Sequence, residues 1–501
     1  PLLWFGLYRQ PEPIPPPQPS TQPTYSLSAW QTAVTESAYH TAIARIKAYI
    51  AAGLTYQVNY TFPLHAQFHG DAWELFCQLA QAQQAAYAAF VDIGSHVICS
   101  ASPELFFKLD GEQLLSKPMK GTAARGRTLA ADNANADWLH HSEKNRAENV
   151  MIVDMIRNDM GRVADIGSVQ VPHLFAVERY PTVLQMTSTV TARTHAPFSQ
   201  IMAHMFPCAS ITGAPKRRTM QIIKELEGRP RGIYTGAIGC LTPDRQAQFN
   251  VAIRTVIINR AQGQAAYGVG GGIVWDSQAA EEYEECRLKA RVLTQPRPAF
   301  HLLESLLWEP ESGYFLLAEH VARLLDSAEY FGVRVTAAAV HHTLHACAQT
   351  LATPSKVRLL LAQNGEMTAA AAPLTALPDP ARVGLAAQPV SSDITWLYHK
   401  TTQRQLYDDA RASRPDCDDV LLWNERGELT ETISANIVLE LNGELLTPPV
   451  TAGLLAGTYR GWLLANGRIR EHTLTPADLQ HSSQIWLINS VRKWRRAVLD
   501  Q

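Results

Sequence analysis

The chain lacks a CxxC pair, a block of basic residues and an uninterrupted apolar run of about 18 residues. Each absence removes a class of function. Without the apolar run, no transmembrane helix and no membrane partner are expected. Lys and Arg number 44 against 46 Asp and Glu, spread along the chain to a formal net charge of −2. That balance argues against nucleic acid or an anionic membrane as a partner. The seven cysteines (Cys77, Cys99, Cys208, Cys240, Cys286, Cys347 and Cys417) are odd in number and far apart. They read as reduced, buried thiols in a cytoplasmic protein. An initiator Met is missing too: the chain starts Pro1-Leu2-Leu3-Trp4, with no basic-then-apolar leader. A preceding segment is therefore expected.

What is present is length and apolar content. The 501 residues suggest two to four domains at roughly 100–200 residues each. An apolar share of 46% is enough for real cores. Residues 1–35 include the proline-rich stretch 11–23, which reads as a linker or surface strap. Residues 36–52 predict a helix, with Tyr39, Ile43, Ile46 and Ile50 at 3–4 spacing and Gly53 as the stop. Mixed strands and helices follow, closing with a helix at 279–293. Thr294-Gln295-Pro296-Arg297-Pro298 then reads as a boundary, so the expected domains are 36–293 and 301–501, with a linker at 294–300. In the second domain a helix is expected over 314–331 and a hairpin around Asn364-Gly365. A meander is expected over 419–447, with turns at Asn424–Gly427 and Asn442-Gly443. No internal repeat relates the halves.

Carboxylates dominate the chemistry of the first half. Glu282 and Glu285 are three apart and share a helix face. Glu148 opens the apolar run Asn149–Asp154, where a helix dipole would favour it. Three such groups suit Mg²⁺, which takes oxygen ligands. Taken singly, each is better read as a solvated surface residue. Two glycine-bearing segments, Ser210–Lys216 and Gly268–Gly272, could present backbone N–H groups to an anion. Neither has P-loop or GxGxxG spacing, and tight core turns explain each equally well.

Nine segments occur in the order found in one known family. They are Tyr56–Asn59, Ser102-Pro103-Glu104, Pro118-Met119-Lys120-Gly121-Thr122, Arg146–Asn149 continuing through Asp159, Ser210–Lys216, Tyr234–Gly239, Ile253-Arg254-Thr255, Gly270–Val274 and Glu282–Glu285. Residues 36–293 thereby resemble the chorismate-utilising enzymes: the anthranilate, aminodeoxychorismate, isochorismate and salicylate synthases. The resemblance implies an α+β fold with a β-sheet sandwich core covered by helices. It implies Mg²⁺ on Glu148 and Glu285 with Glu282 nearby. It also implies chorismate held by Arg254, Tyr234 and the backbone at Thr212 and Gly213, with Thr122 and Gly271 beside it.

Lys120 points within that family to the aminodeoxychorismate synthases, because anthranilate synthases usually have Ala there. The implied chemistry has Lys120 attack ring C2 as the C4 hydroxyl leaves, after which ammonia adds at C4 and expels the lysine. A nucleophilic amine must be neutral, and at an ordinary pKa near 10.4 only about one lysine in 2,500 is neutral at pH 7. Burial can lower a lysine by roughly 3–5 units and close that gap. Glu104 matches the family's general acid for the departing hydroxyl. Gln185 stands where several members carry His, and Ala209 where Gly is common. No cysteine sits in the Gly-x-Cys-x-Gly turn of a class I glutaminase, so a separate glutamine amidotransferase subunit is the expected ammonia source.

The second half offers Lys400, then Glu431 and a glycine-bearing helix start at Leu454–Arg460. A lysine, a carboxylate and a helix N-terminus are what pyridoxal phosphate needs, although singly they are commonplace. In order, and with Phe315–Leu324 ahead of them, they resemble the fold-type IV pyridoxal enzymes, with an α/β domain. The resemblance implies Lys400 as Schiff-base lysine and Glu431 as partner of the pyridine nitrogen. It implies Arg323 and the backbone near Thr458 and Tyr459 as phosphate contacts, and a homodimer through this domain. Lyase and aminotransferase are hard to separate here. A preceding aminodeoxychorismate synthase favours the lyase, giving p-aminobenzoate for folate.

Overall fold

The structure is a computed structural model and describes residues 3–9, 11–14, 24–293 and 299–500. Most of the expected proline-rich stretch 11–23 and of the expected linker 294–300 lies outside the described residues. Two compact units are present: Pro1–Arg125 with Asn135–Arg297, and Gly126–Ala134 with Pro298–Gln501. Among the described residues no helix is long and apolar enough to cross a membrane. All seven cysteines are free. Five are buried, whereas Cys240 is exposed and Cys347 half-buried. Cys240 differs from expectation because its strand, Ala237–Leu241, lies at a sheet edge and its last residues face outward.

The first unit mixes helices with two antiparallel sheets. The elements that position its site are, in chain order, α1 (Glu36–Ala51), β1 (Gln57–Gly70), β2 (Met119–Ala124), α2 (Glu143–Gly161), α3 (Lys216–Glu227), β3 (Gln264–Ile273) and α4 (Ala279–Ala290). Thr35 caps α1 by accepting from Ala38 N–H. The helix then buries Tyr39, Ile43 and Ile46 against Val58, Tyr60 and Phe62 of β1 and Tyr267 and Val269 of β3. Each fully buried isoleucine contributes roughly 1.5–3 kcal/mol, which fixes the roll of the helix on its sheet. β1 and β3 pair from Val58↔Ile273 to Gln67↔Gln264 and form the spine of an eight-stranded sheet.

β2 lies at the edge of the seven-stranded sheet, beside Val183–Arg193. α2 buries Ile152, Val153, Ile156 and Met160 against Phe106, Phe107 and Leu109 of that sheet. Its polar Asn149 is also buried: it donates to Lys120 O at 3.0 Å and accepts from Ser188 Oγ at 2.6 Å. This bond ties β2 to α2. The helix starts earlier than the apolar run predicts, because Ser142 caps it and Glu143 opens it. Glu148 therefore sits in the second turn, and the dipole argument at an N-terminus does not apply to it.

In the second unit a four-stranded sheet contains β4 (Leu302–Glu309), β5 (Ser355–Leu361) and β6 (Met367–Pro373), packed on α5 (Leu317–Phe331). β5 and β6 form the expected hairpin, with Gly365 at φ +90°. The helix begins three residues later than expected because Gly313–Tyr314 pairs with β4. The larger sheet has eight strands and includes β7 (Leu429–Thr432) and β8 (Asn436–Leu441); α6 (Thr458–Ala465) packs near it. Pairing of Glu431 with Asn436 closes six of its strands into a ring, so Glu431 lies on the closing seam.

Candidate active sites

A cavity of about 600 Å³ in the first unit brings together Lys120, Glu104, Glu148, Glu282, Glu285, Arg254, Tyr234, Thr122 and Gly271. Lys120 Nζ lies 3.1 Å from Glu148 Oε2, both side chains being about one-fifth exposed. Gly272 of β3 makes room for this lysine: a Cβ there would lie 2.8 Å from Lys120 Nζ and 3.0 Å from Gln57 Nε2. Gln57 is fully buried, and neither atom of its amide has a hydrogen-bond partner among the described residues. Its place beside Lys120 makes it part of the site.

Glu104 is buried and accepts from Ser210 Oγ at 2.7 Å. Burial pushes its carboxyl up to about 7; Ser210, the backbone N–H of Met119 and the Lys120 charge pull the other way. It is thus about half protonated at neutral pH. Glu282 accepts from Ser277 Oγ at 2.6 Å and is raised by burial, with repulsion from Glu285 adding to it. Burial would raise Glu285 as well, but Lys289 Nζ at 2.5 Å brings it below the usual carboxylate range. Lys289 also donates to Gly270 O at 2.8 Å. Among the described residues, no three His, Cys, Asp or Glu side chains converge as a metal-holding group.

Arg254 adopts φ +51° and donates through Nη1 to Lys289 O at 2.9 Å. Tyr234 packs so closely over Gly268 that a Cβ there would lie 2.3 Å from its ring. Thr122 donates to Gln185 Oε1 at 3.2 Å, while Gln185 Nε2 donates to Gly121 O at 2.8 Å. Thr212 and Gly213 lie behind the wall, which at this point is formed by Ser210 and Ile211. Thr212 Oγ1 donates to Cys208 O and Ala209 O, its carbonyl accepts from Asn59 N–H, and Gly213 pairs with Val58 of β1. Sheet pairing thus engages the backbone at Thr212. The residues that sequence reasoning missed are Gln57, Ser210 and Lys289. Gln57 had a signal, a polar residue opening a buried strand.

In the second unit Lys400 is held by its backbone, Leu303 N–H donating to Lys400 O at 2.9 Å. Among the described residues no side chain hydrogen-bonds its amine. Burial, then repulsion from Arg323, lower it to about 8, with Glu304 opposing and Arg404 adding to the fall. About one Lys400 in ten is then neutral at pH 7. Glu431 is pushed up to about 7 by burial, against hydrogen bonds from Leu455 N–H (3.2 Å) and Tyr407 Oη (3.0 Å). Asn436 Nδ2 bridges Glu431 Oε2 at 3.2 Å and Leu455 O at 2.9 Å.

Arg323 grips Glu304 through Nε (2.9 Å) and Nη2 (2.6 Å) and Ala456 O through Nη1 (3.1 Å). It thereby pins the loop before α6. Thr458 is the first residue of α6, and its hydroxyl lies 3.2 Å from His320 Nε2. His320 Nδ1 is 2.6 Å from Glu304. The Tyr459 ring packs beside Phe315 and Trp462, so only its backbone faces the helix start. Glu304, His320, Tyr407 and Asn436 were not singled out in the sequence, since their roles depend on partners far along the chain.

Residues 7–295 match the family described as chorismate binding enzyme, and residues 301–498 match that described as amino-transferase class IV. Aminodeoxychorismate synthase component 1 of Salmonella typhimurium is 41% identical over 282 residues, covering 56% of this chain and 61% of that protein. The Escherichia coli protein of the same name is 42% identical over 282 residues, covering 55% and 61%. The chain thus spans about three fifths of the length of these curated relatives. Among solved structures, MenF, the menaquinone-specific isochorismate synthase from Escherichia coli, has a TM-score of 0.50 at 21% identity. That alignment covers 57% of this chain and 65% of MenF and reflects the fold.

Proposed function

The chain belongs to the family of chorismate binding enzymes, and on that footing we propose that it makes p-aminobenzoate from chorismate in two steps, one in each unit. The first step replaces the C4 hydroxyl of chorismate by an amine. The second expels pyruvate and leaves the aromatic ring. The observation that supports this best is the convergence of Lys120 and Glu104 on one cavity, with Glu104 held near neutral pKa.

In the first step Lys120 Nζ forms a bond to ring C2, both ring double bonds shift, and the C4 hydroxyl leaves as water with a proton from Glu104. Ammonia then adds at C4, both double bonds shift back, and the C2–N bond to Lys120 breaks. The net change is chorismate plus ammonia to aminodeoxychorismate plus water. Ser210 orients the acid, Gln57 and Gly272 flank the lysine, and Arg254 offers the cavity a fixed cation. Mg²⁺ suits the oxygen-only acids of the cavity, but Glu148 now faces Lys120 and Glu285 faces Lys289, so both would have to turn from these lysines to bind it. Glu148 and Glu285 would hold it, and its charge would neutralise the carboxylates of the substrate. Ammonia would come from a separate glutamine amidotransferase subunit.

The second unit fits pyridoxal phosphate by the same kind of test. Its buried, depressed lysine has no side-chain hydrogen bond, and a buried glutamate and a helix start with no side-chain cap lie in the same unit. Lys400 would hold the cofactor, Glu431 would face the ring nitrogen, and Arg323 with the N-terminus of α6 would take the phosphate. When bound, the cofactor supplies an electron sink. Lys400 removes the C4 proton of the amine substrate, and a pKa near 8 keeps part of it free to do so. The test is Lys120→Ala and Lys400→Ala in the intact chain. Lys120→Ala should abolish aminodeoxychorismate formation, and Lys400→Ala should let aminodeoxychorismate accumulate. Unchanged products from either variant would refute the corresponding step.

A further inference from the structure

Gly126–Ala134 lies inside the stretch that matches chorismate binding enzymes, yet it is compact with the second unit. It is a built piece of structure. Gly126 N–H donates to Asp132 Oδ1 at 2.9 Å, Asp132 is fully buried, and a Cβ on Gly126 would lie 2.1 Å from Asp132 N. The turn is therefore closed in a way that only glycine permits.

Its contacts reach the loop that carries Lys400 and the C-terminal end of α5. Arg127 pairs with Asp393, which precedes Lys400 in that loop. Leu129 packs against the cluster that contains Phe331, with Trp396 beside it. Tyr330 Oη donates to Gly126 O at 2.8 Å. His399, the residue before Lys400, lies with Nε2 3.0 Å from Arg127 O and Nδ1 3.0 Å from Ser327 Oγ. A carbonyl only accepts, so Nε2 carries the proton and Nδ1 accepts from Ser327. The imidazole is then fixed at both nitrogens and lies tilted at 32° against the Tyr330 ring, with ring centroids 4.3 Å apart.

We infer that Gly126–Ala134 is a strap belonging to the second site, and that it sets the position of Lys400 through His399. This rests on the reading that Lys400 holds the cofactor. His399 and Tyr330 are positioning residues; neither has been placed against the reacting groups. The second site is on this account incomplete when the chain is cut between the two family matches, because part of its support precedes the boundary by more than 150 residues.

The test uses the intact chain with the double substitution Tyr330→Phe and Leu129→Ala, which removes one hydrogen bond and one apolar anchor of the strap. Pyridoxal phosphate is titrated and the visible band that depends on Lys400 is followed. The expected result is a rise of about tenfold in Kd and a moved pH midpoint of that band, because the lysine is less well placed. A Kd and midpoint equal to those of the unaltered chain overturn the strap. Hydrogen exchange on the unaltered chain gives a second reading that needs no substitution: residues 126–134 should exchange more slowly once pyridoxal phosphate is bound. Unchanged exchange there also overturns it. If the unaltered chain shows no band that Lys400→Ala removes, the cofactor reading fails and the strap's role falls with it.

Discussion

Glu104 allows the account to be tested with arithmetic. Burial raises its carboxyl from 4.5 to about 7. At pH 7 an ordinary glutamic acid would be about 0.3% protonated, whereas Glu104 is about half protonated. The site thus gains roughly 150-fold in available acid, equivalent to about 3 kcal/mol at 1.36 kcal/mol per unit. Since the step needs Glu104 protonated and Lys120 neutral together, loss of the acid above pH 7 cancels the gain in neutral lysine, so kcat/KM for chorismate should climb toward pH 7 and level off above it. Glu104→Gln keeps the shape and removes the proton, so the rate should drop by about 10²–10⁴ and the levelling near pH 7 should vanish, the residual rate climbing on as Lys120 loses its proton. The assay follows chorismate loss from pH 5.5 to 9 (an order-of-magnitude span around the midpoint) with free ammonia held constant. A wild-type profile that keeps climbing past pH 7 with no levelling, or Glu104→Gln retaining wild-type rate, would refute Glu104 as the acid.

Gly272→Ala should place a methyl 2.8 Å from Lys120 Nζ and move the lysine. A displacement near 1 Å costs about 10²-fold in rate, so chorismate turnover should fall by that order while circular dichroism stays unchanged; an unaltered rate would count against a positioned Lys120. Glu304 should matter to acid stability. Burial would raise it, but Arg323 and His320 overcome that and hold it at about 2. Because this folded value lies below the ordinary 4.5, its contribution is complete above pH 4.5 and is lost as pH falls toward 2. The span is worth about 3 kcal/mol. Acid unfolding of the intact chain should lose much of its pH dependence in that window when Glu304→Gln is introduced, and an unchanged dependence would contradict the ion pair.

Local chemistry was legible in the sequence wherever spacing decides geometry. Glu282 and Glu285, three apart, do line one cavity from α4, and Tyr39, Ile43 and Ile46 do bury one face of α1. The Asn364-Gly365 hairpin follows from its turn residues. Spacing failed where a partner distant in the chain decides. Thr212 and Gly213 read as an anion loop, but pairing with β1 turns them behind the wall and leaves Ser210 and Ile211 in front. Glu148 read as a helix start, but Ser142 provides the cap and moves the start upstream. Gln57 sat in a quoted segment with no role until Gly272 brought it beside Lys120. The strap had no sequence signal, since one glycine in a turn is commonplace and only the contacts of Tyr330 and His399 reveal it.

The central claim is that one chain carries chorismate through to p-aminobenzoate. The direct measurement is to incubate the intact protein with chorismate, ammonium and Mg²⁺, with and without pyridoxal phosphate, and to identify the products. The account predicts p-aminobenzoate and pyruvate with the cofactor, and aminodeoxychorismate accumulating without it. Anthranilate as product, or p-aminobenzoate output that Lys120→Ala and Lys400→Ala leave intact, would contradict it.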